Sequence, residues 1–182
     1  VLEDSSNLIN NVQKLQRART ETLQTGVVDL GNTLAELVNQ YSHIPGRDVR
    51  IVFKQAGQCP VLANELIKDI FSNLLWNAIK HSDPDKPLAI GLRIDEEMRG
   101  GKKYYMVSVE DNGPGIKDEL KERLFSRFSR GETKAKGSGL GLYLVKTLVD
   151  SFHGRIWVED SVPGDHTKGA KFIVTLPAAA QV

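Results

Sequence analysis

The chain has 182 residues, 40% of them hydrophobic, and a formal net charge of +1. That length buries one core plus an appendage, while the near-neutral balance without a basic block offers no nucleic-acid face. No apolar run is long enough to span a bilayer, and the single cysteine, Cys59, excludes an internal disulfide and reads as a small packed hydrophobe.

Leu2, Leu8, Ile9, Val12 and Leu15 recur at helical spacing. They predict a first helix running to about Thr22, with an apolar stripe that needs another helix to cover it. The chain opens at Val1 inside this pattern and is expected to be a piece of something longer, membrane anchoring of that parent being open. Val27 to Leu30 reads as a short strand. Leu34, Leu37, Val38 and Tyr41 mark a second helix stopped by Pro45-Gly46. The β-branched run Val49 to Lys54 is a strand. Asn64 is placed to cap a helix from Glu65 to about His81, broken by the SDPDKP stretch that follows. Leu88 to Asp95 and Lys103 to Asp111 read as neighbouring strands joined by EEMRGGK.

A weakly periodic stretch from about Asn112 to Lys136 comes next, a length that inside a compact domain marks function or mobility. Leu140, Leu144, Val145, Leu148 and Phe152 define a last helix ended by Gly154. Arg155 to Asp160 and Ala170 to Pro177 close the chain as strands. Helices on one face of a mixed sheet give an α+β, two-layer sandwich.

Three segments carry chemistry. In NLLWNAIKHS, Asn73, Asn77 and Lys80 fall within an arc of roughly 60° at ~100° per residue. Two amides and one ammonium therefore border the apolar face. An amide oxygen suits Mg²⁺, which prefers hard oxygen ligands and shares them with phosphate and water. A polar stripe on an amphipathic helix would look the same. In MVSVED, alternation puts Val107, Val109 and Asp111 on one face, carrying a carboxylate to the core side where the strand stops. It needs a donor there, such as the exocyclic amine of adenine; a plain Asp-Asn-Gly turn is the bland reading. Gly113 and Gly115 suit both readings, and Ile116 could wall a ring. In KGSGLGLYLV, Gly137, Gly139 and Gly141 lead into a helix whose N-terminal amides attract phosphate. The basic stretch before it, Leu124 to Gly137, holds Arg127, Arg130, Lys134 and Lys136 with Phe125 and Phe128 as apolar pins, and behaves like a lid. His43 and His166 read as exposed turn residues, and His153 as a helix cap.

These segments, in this order, resemble the asparagine, first glycine, phenylalanine and second glycine boxes of sensor histidine kinases. The likeness covers roughly Val27 to Pro177. It implies an ATP-binding catalytic domain of the GHKL (Bergerat) type, a mixed sheet backed by three helices, over residues 25–182, with residues 1–24 as the end of a dimerisation helix and linker. By position, Asn77 would coordinate Mg²⁺ with Asn73 assisting, Lys80 would contact phosphate, and His81 would lie beside the nucleotide. Asp111 would bind the adenine amine, Gly113 and Gly115 would shape the pocket and Ile116 would line it. Arg130 would reach the γ-phosphate, with Arg127 near it. Gly137, Ser138, Gly139, Leu140, Gly141 and Leu142 would form the hinge and phosphate cradle.

No histidine here has the acceptor context of that family, so the acceptor is expected upstream. The implied partners are its dimerisation domain, in a homodimeric parent, and a response regulator. The implied cofactors are ATP and Mg²⁺, and the implied location is cytoplasmic. The rival is an ATPase of the same superfamily. Such enzymes carry a Glu general base four residues before the metal Asn, where this chain has Asn73, an amide that cannot take a proton. A degenerate nucleotide-binding scaffold is the third reading.

Overall fold

The computed structural model describes residues 2–20, 25–54, 57–126 and 139–180. Along the chain run α1 (Leu2–Thr20), β1 (Gly26–Asp29), α2 (Leu30–Tyr41), β2 (Val49–Lys54), β3 (Pro60–Ala63) and α3 (Ile67–His81). They are followed by β4 (Leu88–Arg99), β5 (Lys102–Asp111), α4 (Asp118–Lys121), α5 (Gly141–Ser151), β6 (Arg155–Val162) and β7 (Asp165–Pro177). The main sheet has the order β2-β4-β5-β7-β6. It is mixed: β2 runs parallel to β4, and the remaining pairs are antiparallel. A separate ribbon pairs β1 with β3.

Strict alternation along the strands decides which face meets the helices. Ile90, Leu92 and Ile94 of β4, Val107 and Val109 of β5, and Phe172, Val174 and Leu176 of β7 are buried on the inner face. The helical layer over them consists of α2, α3 and α5. Ile70, Phe71, Leu74 and Leu75 of α3 and Leu144, Val145, Leu148 and Val149 of α5 are fully buried. Tyr41 and Ser72 share a 2.6 Å hydroxyl hydrogen bond that ties α2 to α3. Arg47 closes the C-terminus of α3: its guanidinium donates to the Ile79 carbonyl and to Ser82 Oγ at 2.6 Å, where a cation complements the helix dipole. Against this layer lies α1, through buried Leu15 and ion pairs Lys14–Asp69 and Arg17–Glu65. Ile9 and Val12 of its stripe stay 60% and 40% exposed.

Several sequence expectations shift. Leu30 begins α2 rather than ending a strand, because Asp29 caps that helix by accepting from Gly31 N. Strand β3 was not anticipated: Pro60 opens it, and its four residues are too short for a clear period. Asn64 does not cap α3. Its side chain accepts from Leu66 N within a turn, and the helix starts at Ile67 with no side-chain cap. The β4–β5 hairpin is longer than expected, pairing out to Arg99 and Lys102 around Gly100-Gly101. His166 lies in β7, half-buried, not in an exposed turn.

The end of α5 is also different. His153, not Gly154, takes the left-handed conformation, at φ 59°. His153 N donates to Asp150 O and Gly154 N to Val149 O, the paired bonds of a Schellman cap. A side chain in that conformation costs about 1–2 kcal/mol, part of which a glycine would return as unfolded-state entropy. His153→Gly is therefore expected to raise stability by roughly 0.5–1 kcal/mol, read as a higher urea midpoint with unchanged slope.

Candidate nucleotide-binding site

The polar stripe of α3 lies where its spacing put it. Asn73, Asn77 and Lys80 are half-buried at the border of a face whose neighbours are fully buried. Asn73 Nδ2 donates to the Asp69 carbonyl at 2.7 Å, which fixes the amide. Its Oδ1 then lies against the start of α5: a Cβ built on Gly141 would sit 2.9 Å from it. Glycine at 141 is what lets the second glycine loop approach the asparagine helix. Helix α5 has no side-chain cap, and its first intrahelical bond runs from Leu144 N to Leu140 O. The amides of its first turn therefore point out of the N-terminus, the geometry that attracts anions. Leu140 is buried, Leu142 half-buried, and Gly139 has φ 68°.

Asp111 sits at the inner end of β5, opposite Ile90, and only 8% exposed. Its Oδ1 accepts from Gly113 N at 2.8 Å and Ala170 N at 3.4 Å. The first bond is the Asx turn of the bland reading; the burial is the feature of the functional one, and the residue has both. Oδ2 has no partner among the described residues. Burial pushes the carboxyl above the usual aspartate range, the Gly113 and Ala170 amides oppose that, and Glu110 adds to the rise. The loop after Asp111 is tied to β4 by Asn112, whose Oδ1 accepts from Ala89 N and whose N–H donates to Ala89 O. Ile116 is half-buried against the core.

Two glycines make this corner possible. Gly115 has φ 69°, and a Cβ on it would lie 1.8 Å from the His166 carbonyl oxygen. Gly169 has φ 98°, and its Cβ would lie 1.9 Å from the Asp111 carbonyl oxygen. No side chain fits at either distance.

Residues 63–180 match the family described as histidine kinase-, DNA gyrase B-, and HSP90-like ATPase. The chain belongs to this family. It is 34% identical over 170 residues to the sensor protein RprX of Bacteroides fragilis, covering 90% of this chain and 30% of RprX. It thus spans less than a third of that relative. Among solved structures, the catalytic domain of histidine kinase ThkA superposes with a TM-score of 0.71 at 26% identity, over 87% of this chain and all of the other. Full-length ShkA in complex with AMPPNP superposes at 0.75 and 25% identity, over 97% of this chain and 36% of the other. ThkA is also known in complex with the response regulator protein TrrA. These likenesses place the chain among the catalytic ATP-binding domains of two-component sensor histidine kinases, in a family that binds ATP.

In this ATP-binding domain the described residues bring Asn73, Gly139, Leu140, Gly141 and Leu142 together on one side, and Asp111, Gly113, Gly115 and Ile116 on the other. Arg127, Arg130, Gly137 and Ser138, with Phe128, Lys134 and Lys136, lie outside the described residues. Phe125 is an anchor, edge-on to Phe172 with centroids 6.3 Å apart. Lys121 holds α4 down by bridging Asp118 and Asp160. His81 is exposed at the end of α3; partial desolvation first, then Lys80, hold its imidazole below the usual histidine value. Gly169 and the Ala170 amide were missed. The signal was a glycine inside β7, just before its β-branched run, which marks close backbone approach.

Because the folded-state value of Asp111 lies above its unfolded one, its contribution to stability is full below the unfolded value. It is lost as pH rises through the folded value, so at neutral pH the ionised carboxylate lowers stability. Asp111→Asn is expected to melt higher than the parent at pH 7. That advantage should shrink as pH falls through the acid range, as thermal scans across pH would read. Gly169→Ala is expected to melt markedly lower.

Proposed function

We propose that this chain binds Mg-ATP and transfers its γ-phosphoryl to a histidine outside the chain, for relay to a response regulator. The observation that carries the reading is Asp111, a buried carboxylate with one oxygen satisfied by backbone amides and the other without a donor among the described residues. The exocyclic amine of adenine supplies that donor; guanine presents a carbonyl there instead. The complexes of ShkA with AMPPNP and of ThkA with TrrA support the nucleotide and the regulator as ligands.

In this reading Ile116 walls the base and Gly113 and Gly115 shape the pocket. The α5 N-terminus, with Gly137, Ser138, Gly139, Leu140, Gly141 and Leu142, cradles phosphate. Lys80 neutralises phosphate charge, Arg130 and Arg127 reach the γ-phosphate, and His81 lies beside the nucleotide. No group of three or more His, Cys, Asp or Glu among the described residues could hold a metal by itself. Amide oxygens of Asn77 and Asn73 suit a Mg²⁺ that completes its shell from phosphate and water. When bound, that ion neutralises charge on the transferring phosphoryl. The chain's own residues act by positioning and charge neutralisation.

We assign residues 1–24 to the end of a dimerisation helix and linker, and 25–182 to the ATP-binding domain. The acceptor domain lies in the same parent, a homodimer whose catalytic part faces the cytoplasm. No helix among the described residues is long and apolar enough to cross a membrane. The second reading is ATP hydrolysis without an acceptor. Asn73 weighs against it, since an amide cannot activate water.

Asp111→Ala is expected to weaken ATP roughly tenfold or more in calorimetry, as for loss of a charged hydrogen bond. GTP should bind poorly to the parent. Equal ATP affinity for both proteins would remove the adenine assignment. Mixed with ATP alone, the chain should neither label itself nor hydrolyse briskly. Adding an acceptor-bearing dimerisation domain should yield acid-labile, base-stable phosphohistidine, and Asn77→Ala should abolish that label. Fast hydrolysis by the isolated chain would put the ATPase reading in its place.

A further inference from the structure

The face of the main sheet away from the helices carries an open trench. A groove of about 480 Å³ is lined by Val52, Gly91, Arg93, Met106, Lys171 and Ile173, among others. A second concavity shares Val52 and Gly91 with it and reaches Arg50 and Asn112. Register explains the hollow. Val52 pairs with Gly91 and Gly91 with Glu110, so one row across the sheet lacks a side chain at its second position. The trench ends at β2, the sheet's outermost strand on that side. The far edge of β2 presents backbone donors and acceptors to no strand among the described residues. Its inner residues Val49, Ile51 and Phe53 are only half-buried, and outward-facing Val52 is 44% exposed.

Charge selects the occupant. Arg50 and Lys54 flank Val52 on the outer face at i−2 and i+2. Neither has an ion pair among the described residues, whereas Arg93 beside them is engaged by Asp95. The strand VRIVFK contains no acid. Pairing it with the same strand of a second copy would gather four cations on one short ribbon. Like charges opposed across strands are destabilising.

We propose that the β2 edge and the adjoining trench dock an extended acidic segment of a partner protein. The segment has the pattern acid, any, apolar, any, acid, and is added as a sixth strand by backbone pairing. Its apolar residue sits over Val52 at the mouth of the trench, and its acids oppose Arg50 and Lys54. The pattern reads the same in both directions, so it fits a parallel or an antiparallel strand. The competing role for these cations is to guard an edge strand against association. The two roles make opposite predictions for an acidic strand.

The test uses the whole chain and a fluorescein-labelled synthetic peptide containing Glu-Thr-Val-Thr-Glu. Anisotropy should show saturable binding, with hydrogen exchange slowed at alternate amides of Val49–Lys54. A Lys-Thr-Val-Thr-Lys peptide should not bind. The double variant Arg50→Glu, Lys54→Glu, with an unchanged circular dichroism spectrum and ATP affinity, should bind the acidic peptide at least about tenfold more weakly, equivalent to about 1.4 kcal/mol. No binding of the acidic peptide up to about 1 mM, a floor near −4 kcal/mol, would overturn the proposal. So would binding that leaves β2 exchange unchanged, or protection of β2 that follows chain concentration without peptide, which would make the occupant a second copy. A double variant that loses its fold is replaced by Val52→Lys, which should block the same peptide; undiminished binding there also overturns it.

Discussion

Everything at the candidate site depends on two backbone crossings that leave no room for a side chain. At Gly115 the loop after β5 runs under the His166 carbonyl, and at Gly169 the body of β7 runs under the Asp111 carbonyl. Together they fold the loop after β5 back against β7. That contact brings the Ala170 amide onto Asp111 and keeps the carboxylate buried. Desolvation would otherwise expel such a group or protonate it. Here two amides hold one oxygen, and the other has no partner among the described residues. The corner is a place where folding free energy is given up locally while a buried carboxylate is held in one orientation.

A third close approach, Gly141 against Asn73, sets the start of α5 against α3. Asn73 is locked by its own helix through the Asp69 carbonyl, and α5 starts against its other atom. The amide therefore fixes where the helix N-terminus points. Asp69 is also the residue that Lys14 of α1 reaches. One turn of α3 thus connects the N-terminal helix, the asparagine stripe and the glycine-started helix. The contacts of Asp69 with Lys14 and Asn73 are polar and that of Gly141 with Asn73 is a close steric approach, on top of a layer held by the apolar faces of α3 and α5. The layer supplies rigidity and the polar turn supplies direction.

The strands and helices with a clean period could be read from the sequence, because period and burial are the same fact there. Val49–Lys54 appeared at its true bounds, and Asp111 could be placed on the inner face from Val107 and Val109 alone. What escaped depends on contacts between distant segments. Strand β3 has only four residues and exists because β1 pairs with it. Asn64 looked like a helix cap by type, yet a preceding turn takes its side chain. The left-handed residue ending α5 is His153, while Gly154 is needed for space, since a Cβ on it would lie 2.4 Å from the Thr175 carbonyl oxygen, a neighbour visible only after folding. Gly169 escaped for the same reason: its partner, Asp111, is far away in the chain.

The proposed chemistry turns on what Asn73 cannot do. Water or a serine hydroxyl must lose its proton as it attacks, so an enzyme that uses either keeps a base beside the γ-phosphate. A neutral imidazole attacks through a lone pair it already has. An amide such as Asn73, whose Nδ2 donates to the Asp69 carbonyl, can position and polarise, but it cannot serve as a base. In the proposed reading, a site of this composition would hold ATP without a base for spending it on water. Choice of acceptor then passes from the pocket to whatever brings a histidine in line with the terminal phosphate. On that proposal the ATP-binding domain would be the constant part of the transfer, and the contact that presents the histidine would decide when it runs.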